Sequence, residues 1–592
     1  MPDEEVVDKP RKELNAAVII RRSLYLIMMI WLLWFYLGLD FRGLNTPQGI
    51  DQAQVAREIA RGNGFETKMV RPLALYQLNH SKESEEEWVS MAGLQDTYNA
   101  PLNPLVNSWA LRMVKGSWEY DPEKPLYFPD VVIAGVSVFL FMASVGVSYL
   151  LVSRIFDTRI AAVTVALMLL CELLWNFAQS GLPQMLMLFL FTFSLYFLYK
   201  ATENAEAKKS PYLWIALCGG FMGLLALSHW LTVWLFMGMF IFVAIFFKPR
   251  GVTAFLLLAV FLVIVAPWLI RNVTVSGTPV GSSVYAIYNG LAAAGEDFAM
   301  RNYDPDTNPL SLEGMRMRLI ITSLAQVVTI YASLGAIAAA PLFFLALLHP
   351  FRRAEIALFR WGILFMWVMA VVGMALFARP EEEVDFNQLH ILFIPLMTAY
   401  GLAFLSVIWT RMGLPTQYQL VRNGHFIIVL AISAAPLLLK MPGDTLFNLR
   451  VKGMSSWPPY IPSYIAKLGD WTEENEVTVA DMPWAVAWYA DRVSLWLPAT
   501  REQYDELARY GARRDTPFAG IYFTPISIDQ PLSTGIMTGE YDAWSDMILY
   551  GRMRMLGVPM QTTDFPFPVG VPMPVKGQTY LFTDSASRIR FD

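Results

Sequence analysis

Long apolar stretches with almost no charge recur along the first 440 residues and then stop. Val131 to Val152 and Gly251 to Ile270 are two of them. Each is near the roughly 20 residues needed to cross a hydrocarbon core of about 30 Å. Read by apolar length, about eleven spans fall near 23–39, 131–153, 160–178, 183–200, 212–228, 230–247, 251–270, 319–348, 360–378, 389–409 and 425–440. Beyond Met441 short segments alternate instead. Val477 to Ala480, Val493 to Leu497 and Phe518 to Phe523 read as strands, with helices over Met482 to Ala490 and Arg501 to Tyr510 between them. That alternation predicts a small parallel α/β layer. The pattern therefore predicts a polytopic α-helical membrane protein: a cytoplasmic N-terminus (1–22), a transmembrane domain (23–440) and a C-terminal α/β domain (441–592).

Charge orients these spans. Arg11, Lys12, Arg21 and Arg22 place the N-terminus in the cytoplasm. The same side then carries Arg154 and Arg159; Lys200, Lys208 and Lys209; Lys248 and Arg250; Arg352, Arg353 and Arg360; Arg411 and Arg422. The alternate turns around Ser180 and His229 carry no Lys or Arg. An odd number of spans puts the C-terminal domain outside, in the periplasm of a protein of the inner (plasma) membrane. Arg21 and Arg22 before Leu24 to Leu39 imitate a signal peptide, but no small-x-small cleavage site follows, so the stretch reads as an uncleaved span. Two outside loops are long, 40–130 and 271–318, and loops of that length are uncommon without a function.

Composition adds exclusions. The chain has 592 residues, 55% hydrophobic and 16% charged, against about a quarter charged in soluble domains; its mean hydropathy is +0.41. A net charge of -5 gives no sign of a nucleic-acid partner. Cys171 and Cys218 both lie in apolar runs, which argues against a disulfide framework or thiolate metal site. The acidic run Glu83 to Glu87 reads as a solvated loop tip.

Candidate chemistry gathers in the first outside loop. Gly49 to Gly62 reads as a short helix ended by Gly62 or Gly64, with Asp51 at its start. Asp51 is either an N-cap or a functional carboxylate. From Pro101 to Met113, apolar residues at 102, 105, 106, 109 and 113 share one helical face. Such a helix lies in the membrane interface or packs on the C-terminal domain.

Four segments carry a resemblance: Asp51 to Ala60; Asn99-Ala100-Pro101-Leu102-Asn103-Pro104-Leu105; Ala266 to Asn272 with Gly277-Thr278-Pro279-Val280; and Gln388-Leu389-His390-Ile391-Leu392-Phe393-Ile394-Pro395-Leu396. In order and in position relative to the spans they resemble the GT-C glycosyltransferases. The nearest branch is family-39-like and contains the protein O-mannosyltransferases and the lipid A aminoarabinose transferase. Its first-loop Asp-Glu pair is Asp51-Gln52 here, its Lys-Pro-Pro-Leu segment starts at Asn99, and its late-span Arg is His390. The resemblance covers roughly residues 20 to 440.

The resemblance implies transfer of a sugar, with inversion, from a polyprenyl-phosphate donor to a hydroxyl of a protein or glycolipid acceptor. Asp51 is the implied general base, and Asp96 a second acidic candidate that is otherwise a turn cap. Arg271 and Asn272, at a span end, are candidates for the lipid phosphate, though an Arg there also snorkels. His229 stands near a phosphate-facing Lys of the family, against the ordinary reading of a structural histidine. His390 joins the donor-binding set. Glu172, ionisable within an apolar run, faces the cavity or pairs with a neighbouring helix. The Asp-x-Asp metal motif is absent at Asp51, and Asp304-x-Asp306 reads as turn chemistry, so neither a metal nor another cofactor is expected. Asp481, after a strand end, marks where open sheets form crevices, but no glycine-rich loop accompanies it. The rival readings are a lipid or polysaccharide flippase, an inactive envelope scaffold and an oligosaccharide ligase.

Overall fold

The computed structural model describes residues 16–82, 84, 87–121, 124, 126–285, 299–304, 312–377, 382–412, 418–448, 462–558, 565–573 and 579–589. Asp306 and most of the Glu83–Glu87 run lie outside these residues.

Among the described residues six helices are long and apolar enough to cross a membrane: Ser23–Asp40, Phe128–Ile155, Gln184–Glu206, Arg250–Ser276, Ala354–Phe377 and His390–Arg411. Thr158–Leu169 and Glu172–Gln179 form an apolar pair bent by 55° at a short break, a seventh candidate when the pair is counted as one span. Tyr212–Ala226, Trp230–Phe246 and Gly424–Leu438 are apolar but shorter. These helices fall on ten of the eleven stretches read from the sequence. The 319–348 stretch is the clearest departure: its helix stops at Val328 and resumes only as Ile330–Ser333 and Leu342–Ala346. Gly335 and Ala336 turn the chain at positive φ, and the Cys171 thiol reaches the Gly335 carbonyl at 3.7 Å. The two broken spans thus meet at their breaks.

The first long loop folds against the bundle. Its first helix, Pro47–Arg61, starts with proline in the first turn and ends on Gly62 at φ 98°, as helix-end chemistry dictates. Thr46, one residue before it, donates from Oγ1 to the Ser180 carbonyl at 2.8 Å. A Cβ on Gly49 would sit 2.2 Å from that same carbonyl, so this approach requires glycine. The second helix, Leu102–Met113, buries Asn103, Asn107 and Ser108 and exposes Leu105, Trp109 and Met113. Apolar side chains turned outward are what a helix lying in the interface presents, and the alternative of packing on the C-terminal domain is excluded for that face.

The three parallel strands that the alternation predicts are present, and three further strands extend the sheet at its two edges. Strands β1 (Glu66–Thr67), β2 (Met69–Val70) and β3 (Leu94–Gln95) belong to the first loop; β4 (Val477–Ala480), β5 (Val493–Trp496), β6 (Phe518–Phe523), β7 (Val569–Pro572) and β8 (Tyr580–Thr583) follow in the C-terminal region. The six-stranded order is β2-β5-β4-β6-β8-β7. β2, β5, β4 and β6 run parallel, while β8 and β7 close the other edge antiparallel. The first loop therefore supplies an edge strand, in register Met69 with Ser494 and Val70 with Leu495. Ser494 N–H donates to the Lys68 carbonyl at 2.8 Å.

Charged groups fasten the same junction. Arg57, buried, donates to the carbonyls of Trp488 and Ala487, both at 2.7 Å, and pairs with Asp491 at 3.0 Å. Arg61 and Lys68 converge on the same Asp491 carboxylate. Asp491 adopts φ 55°, a left-handed conformation that Asp tolerates better than most residues. Asp130, at the start of the 128–155 helix, accepts from Trp488 Nε1 at 2.7 Å and Tyr489 OH at 2.9 Å. Asp481 Oδ2 accepts from Thr524 N–H, Ser527 N–H and Ser527 Oγ, while its Oδ1 is buried with no partner among the described residues. Through Oδ2 it caps the next turn.

Candidate active site

Asp51 lies one turn inside its helix, because Thr46 occupies the N-cap position. The capping reading is thereby excluded, and the carboxylate is spent on side chains. It is 1% exposed. Oδ2 accepts from Arg71 Nη2 and from Asn99 Nδ2, both at 2.7 Å, and Oδ1 from Gln54 Nε2 at 3.2 Å. Arg71 is the residue that follows β2, so the C-terminal sheet fixes where this guanidinium starts. Burial opposes its charge, but Asp51, Tyr98 and Asp96 outweigh that and hold Arg71 above its ordinary value. Its guanidinium carbon also lies 4.0 Å from the Tyr98 ring centroid.

Asp96 belongs to the same cluster. Asn99 Nδ2 donates to Asp96 Oδ2 at 2.8 Å as well as to Asp51, so one amide ties the two carboxylates together. Tyr98 N–H donates to Asp96 Oδ1 at 2.9 Å; the turn-cap role is real alongside the cluster. Burial, and then the charge of Asp51, push the Asp96 carboxyl above its ordinary value. Gln52, where the resemblance has a second acid, accepts from Asn103 Nδ2 at 2.6 Å. Its Nε2 and the Nε of Arg71 are buried with no partner among the described residues.

Arg271 supports the cluster at one remove. It donates to the Asp96 carbonyl at 2.6 Å and to Gln95 Oε1 at 3.0 Å, with its guanidinium over Trp268. This is a held position, so free snorkelling is not its role. Asn272 accepts from Arg271 Nη1 through its Oδ1 at 3.1 Å and donates to the Pro279 carbonyl at 3.2 Å. His229 is buried, its Nδ1 accepting from Leu231 N–H at 3.1 Å and its ring 4.1 Å from Phe386. His390 accepts from Trp367 Nε1 at 3.2 Å. Glu172 opens the Glu172–Gln179 helix at its bend, roughly 12 Å of helix from the Ser180 end beside Gly49. None of the contacts described for His229 or His390 reaches the Asp51 cluster, and Asn272 is linked to it through Arg271.

Sequence reasoning missed Arg71, Gln54 and Asn99 as Asp51 partners. Arg71 followed by Pro72 carried a usable signal, a cation beside a helix-starting proline, but nothing in the sequence tied it to Asp51, twenty residues earlier. A narrow pocket opens over the carboxylate, lined by Asp51, Arg71, Met69 and Met300 together with Trp484 and Trp496 of the C-terminal domain. Among the described residues no group of three His, Cys, Asp or Glu side chains is placed to hold a metal ion.

A many-span helical bundle whose first loop carries a buried carboxylate beneath an α/β domain is the GT-C architecture, and solved structures bear this out. The archaeal oligosaccharyltransferase AglB from Archaeoglobus fulgidus, in complex with an inhibitory peptide and a dolichol-phosphate, is 12% identical. It superposes with a TM-score of 0.52 over 90% of this chain and 72% of that one. The same organism's oligosaccharyltransferase with Zn and sulfate gives 12% and 0.51 over 88% of this chain and 70% of that one. ArnT from Cupriavidus metallidurans in the apo state gives 12% and 0.50 over 98% of this chain and 99% of that one. No family model and no curated protein sequence matches the chain. At these identities the likeness establishes the GT-C fold.

Proposed function

We propose that this protein is a membrane glycosyltransferase that moves a sugar from a polyprenyl-phosphate-linked donor to an acceptor hydroxyl, with inversion, at the outer face of the inner membrane. The observation that carries the reading is the Asp51 carboxylate: buried, held by one cation and two amides, and open to a pocket at the loop end of a GT-C bundle. Asp51 takes the proton from the acceptor hydroxyl as its oxygen attacks the anomeric carbon. The bond from that carbon to phosphate breaks, and the phosphate leaves on its lipid. General-base help of this kind is typically worth ~10²–10⁴-fold. Gln52 Nε2 and Arg71 Nε, buried donors without partners among the described residues, are suited to oxygens that gain charge in that step. Arg271 positions the 95–96 segment. Asn272, His229, His390 and Glu172 serve the lipid-phosphate path at a distance from the carboxylate.

The donor carrier is a polyprenyl phosphate; the AglB neighbour holds a dolichol-phosphate. The acceptor is a protein or glycolipid hydroxyl. The reaction runs without a metal, because Arg71 already neutralises the Asp51 oxygen that a cation would take; turnover should survive EDTA. The N-terminal charges put the 40–130 loop and the C-terminal domain on the periplasmic side.

The test is sugar release from radiolabelled polyprenyl-phosphate donors by the full-length protein in nanodiscs, with a membrane extract supplying acceptors. Turnover by the wild type that vanishes in Asp51→Asn supports the proposal. A folded wild type that releases no sugar from any donor overturns it in favour of a transporter or scaffold.

A further inference from the structure

Each oxygen of a carboxylate accepts about two hydrogen bonds, and the two oxygens of Asp51 are filled unequally. Oδ2 takes Arg71 and Asn99, both at 2.7 Å. Oδ1 takes Gln54 alone, at 3.2 Å. One place is therefore left, and it is on Oδ1. The pocket over the carboxylate, at ≈ 20 Å³, has room for a group the size of a hydroxyl.

Gln54 is itself held from the far side. It stands one turn after Asp51 on the Pro47–Arg61 helix and is buried. Its Oε1 accepts the Lys68 N–H at 3.0 Å. A backbone N–H only donates, so the amide can sit only one way round. Nε2 then gives one hydrogen to Asp51 Oδ1 and the other to Thr67 Oγ1 at 2.6 Å. Thr67 Oγ1 in turn donates to the Met69 carbonyl at 3.1 Å and accepts Met69 N–H at 3.0 Å. The geometry points to Gln54 as a positioning residue for the proposed base. It steadies the carboxylate through Oδ1 and leaves on that oxygen the place where the acceptor's proton lands. The acceptor's O–H bond breaks and an O–H bond forms on Oδ1. The inference rests on the proposed glycosyl transfer. It also gives the C-terminal domain a part in holding the base, through a chain of hydrogen bonds from Ser494 N–H to the Lys68 carbonyl, from Lys68 N–H to Gln54, and from Gln54 to Asp51.

The experiment uses the full-length protein in nanodiscs with a donor that turns over. Gln54→Leu keeps the volume and removes the amide. Thr67→Val frees the amide from its other anchor, and Thr67→Ser keeps that anchor. Gln54→Leu should lower kcat about 10- to 100-fold with KM within about twofold. Thr67→Val should lose less, and Thr67→Ser should stay near the wild type. The bond from Gln54 favours the charged carboxylate, so without it the acid limb of the kcat/KM profile should move to higher pH. Gln54→Glu, which sets a second carboxylate beside the first, should move it further. Infrared difference spectra between neutral and acid pH need no turnover, and the carboxylic band lost in Asp51→Asn belongs to Asp51. With the proton on Oδ1, the carbonyl is the bond to Oδ2. Its frequency should therefore rise in Asn99→Leu and stay in place in Gln54→Leu. Kinetics unchanged in Gln54→Leu, or a loss confined to KM, overturns the positioning role and leaves the proposed function standing. A band frequency that follows Gln54 and ignores Asn99 puts the proton on Oδ2 and overturns the assignment of the oxygen. A wild type without turnover overturns the transfer; an Asp51 band that then grows in at the same pH in Gln54→Leu as in the wild type overturns the hold by Gln54 as well.

Discussion

Asp51 and Asp491 each hold arginine of the first long loop, Asp51 through Arg71 and Asp491 through Arg57 and Arg61 with Lys68 alongside. Asp51 is sealed from solvent, shares its two oxygens among one cation and two amides, and looks into a pocket. Asp491 is about a third exposed, is surrounded by three cations, and lines a wide cavity together with Arg61, Lys68 and Glu58. A carboxylate crowded by three cations is a fastener, since its lone pairs are occupied and its proton affinity suppressed. Asp51, with one cation and a side open to a pocket, is the carboxylate that the proposed reaction uses as its base. On the proposed reading, similar residue types are divided between chemistry and assembly by how many cations each aspartate is given.

The comparison can be broken most directly at Asp51. Asp51→Asn should lower turnover by ~10²–10⁴-fold, as measured by sugar release, whereas Asp491→Asn should leave turnover within about threefold. Arg71→Ala comes next: it strands Asp51 without its cation and should destabilise the fold by about 3–5 kcal/mol in chemical denaturation. Adding Asp51→Asn should recover at least about 1 kcal/mol of that loss, because the two side chains act as a pair. Asp491→Asn keeps the left-handed backbone within reach and should cost about 1–2 kcal/mol at neutral pH, a modest figure because the site is partly exposed.

The smallest effect is a pair of opposite pH trends. Burial raises the Asp491 carboxyl, but Arg57, Arg61 and Lys68 outweigh it and leave it below its ordinary value. Its stabilisation is present above the unfolded value near 3.8 and fades as pH falls toward the folded one. The Tm gap between wild type and Asp491→Asn should therefore shrink on acidification. Asp96 is displaced upward, so its favourable contribution holds below the unfolded value and is lost as pH rises through the folded one. Asp96→Asn should gain Tm relative to wild type as pH rises. Parallel trends in the two variants would remove the distinction drawn between the sites.

The two regions also differ in how much their residues reveal. Uncharged stretches such as 131–152 and 251–270 announce membrane helices, since a crossing needs little beyond length and apolarity. β4, β5 and β6 are legible from short apolar runs separated by turns. The 319–348 stretch misled because its apolarity is continuous while Gly335 and Ala336 break its backbone. Asp51 and Asp96 stood out as acids in the first loop, and the structure joins them through Asn99. Arg71 did not stand out, because its pairing depends on a strand pairing across the length of the chain that no local pattern encodes. Glu172 attracted notice as an ionisable group in an apolar run, and His229 and His390 through the family positions they match; a buried structural histidine occupies such a position equally well.

The borrowed strand has a consequence in time. Lys68 and Asp491 are 423 residues apart, and β2 has no β5 to pair with until that distance has been translated. At roughly 5–20 residues per second the interval lasts on the order of half a minute. During it the loop bearing Asp51 exists without the sheet that places Arg71, so a nascent or interrupted chain carries its carboxylate but not its finished surroundings. Completion of synthesis thereby acts as the arming step of the molecule.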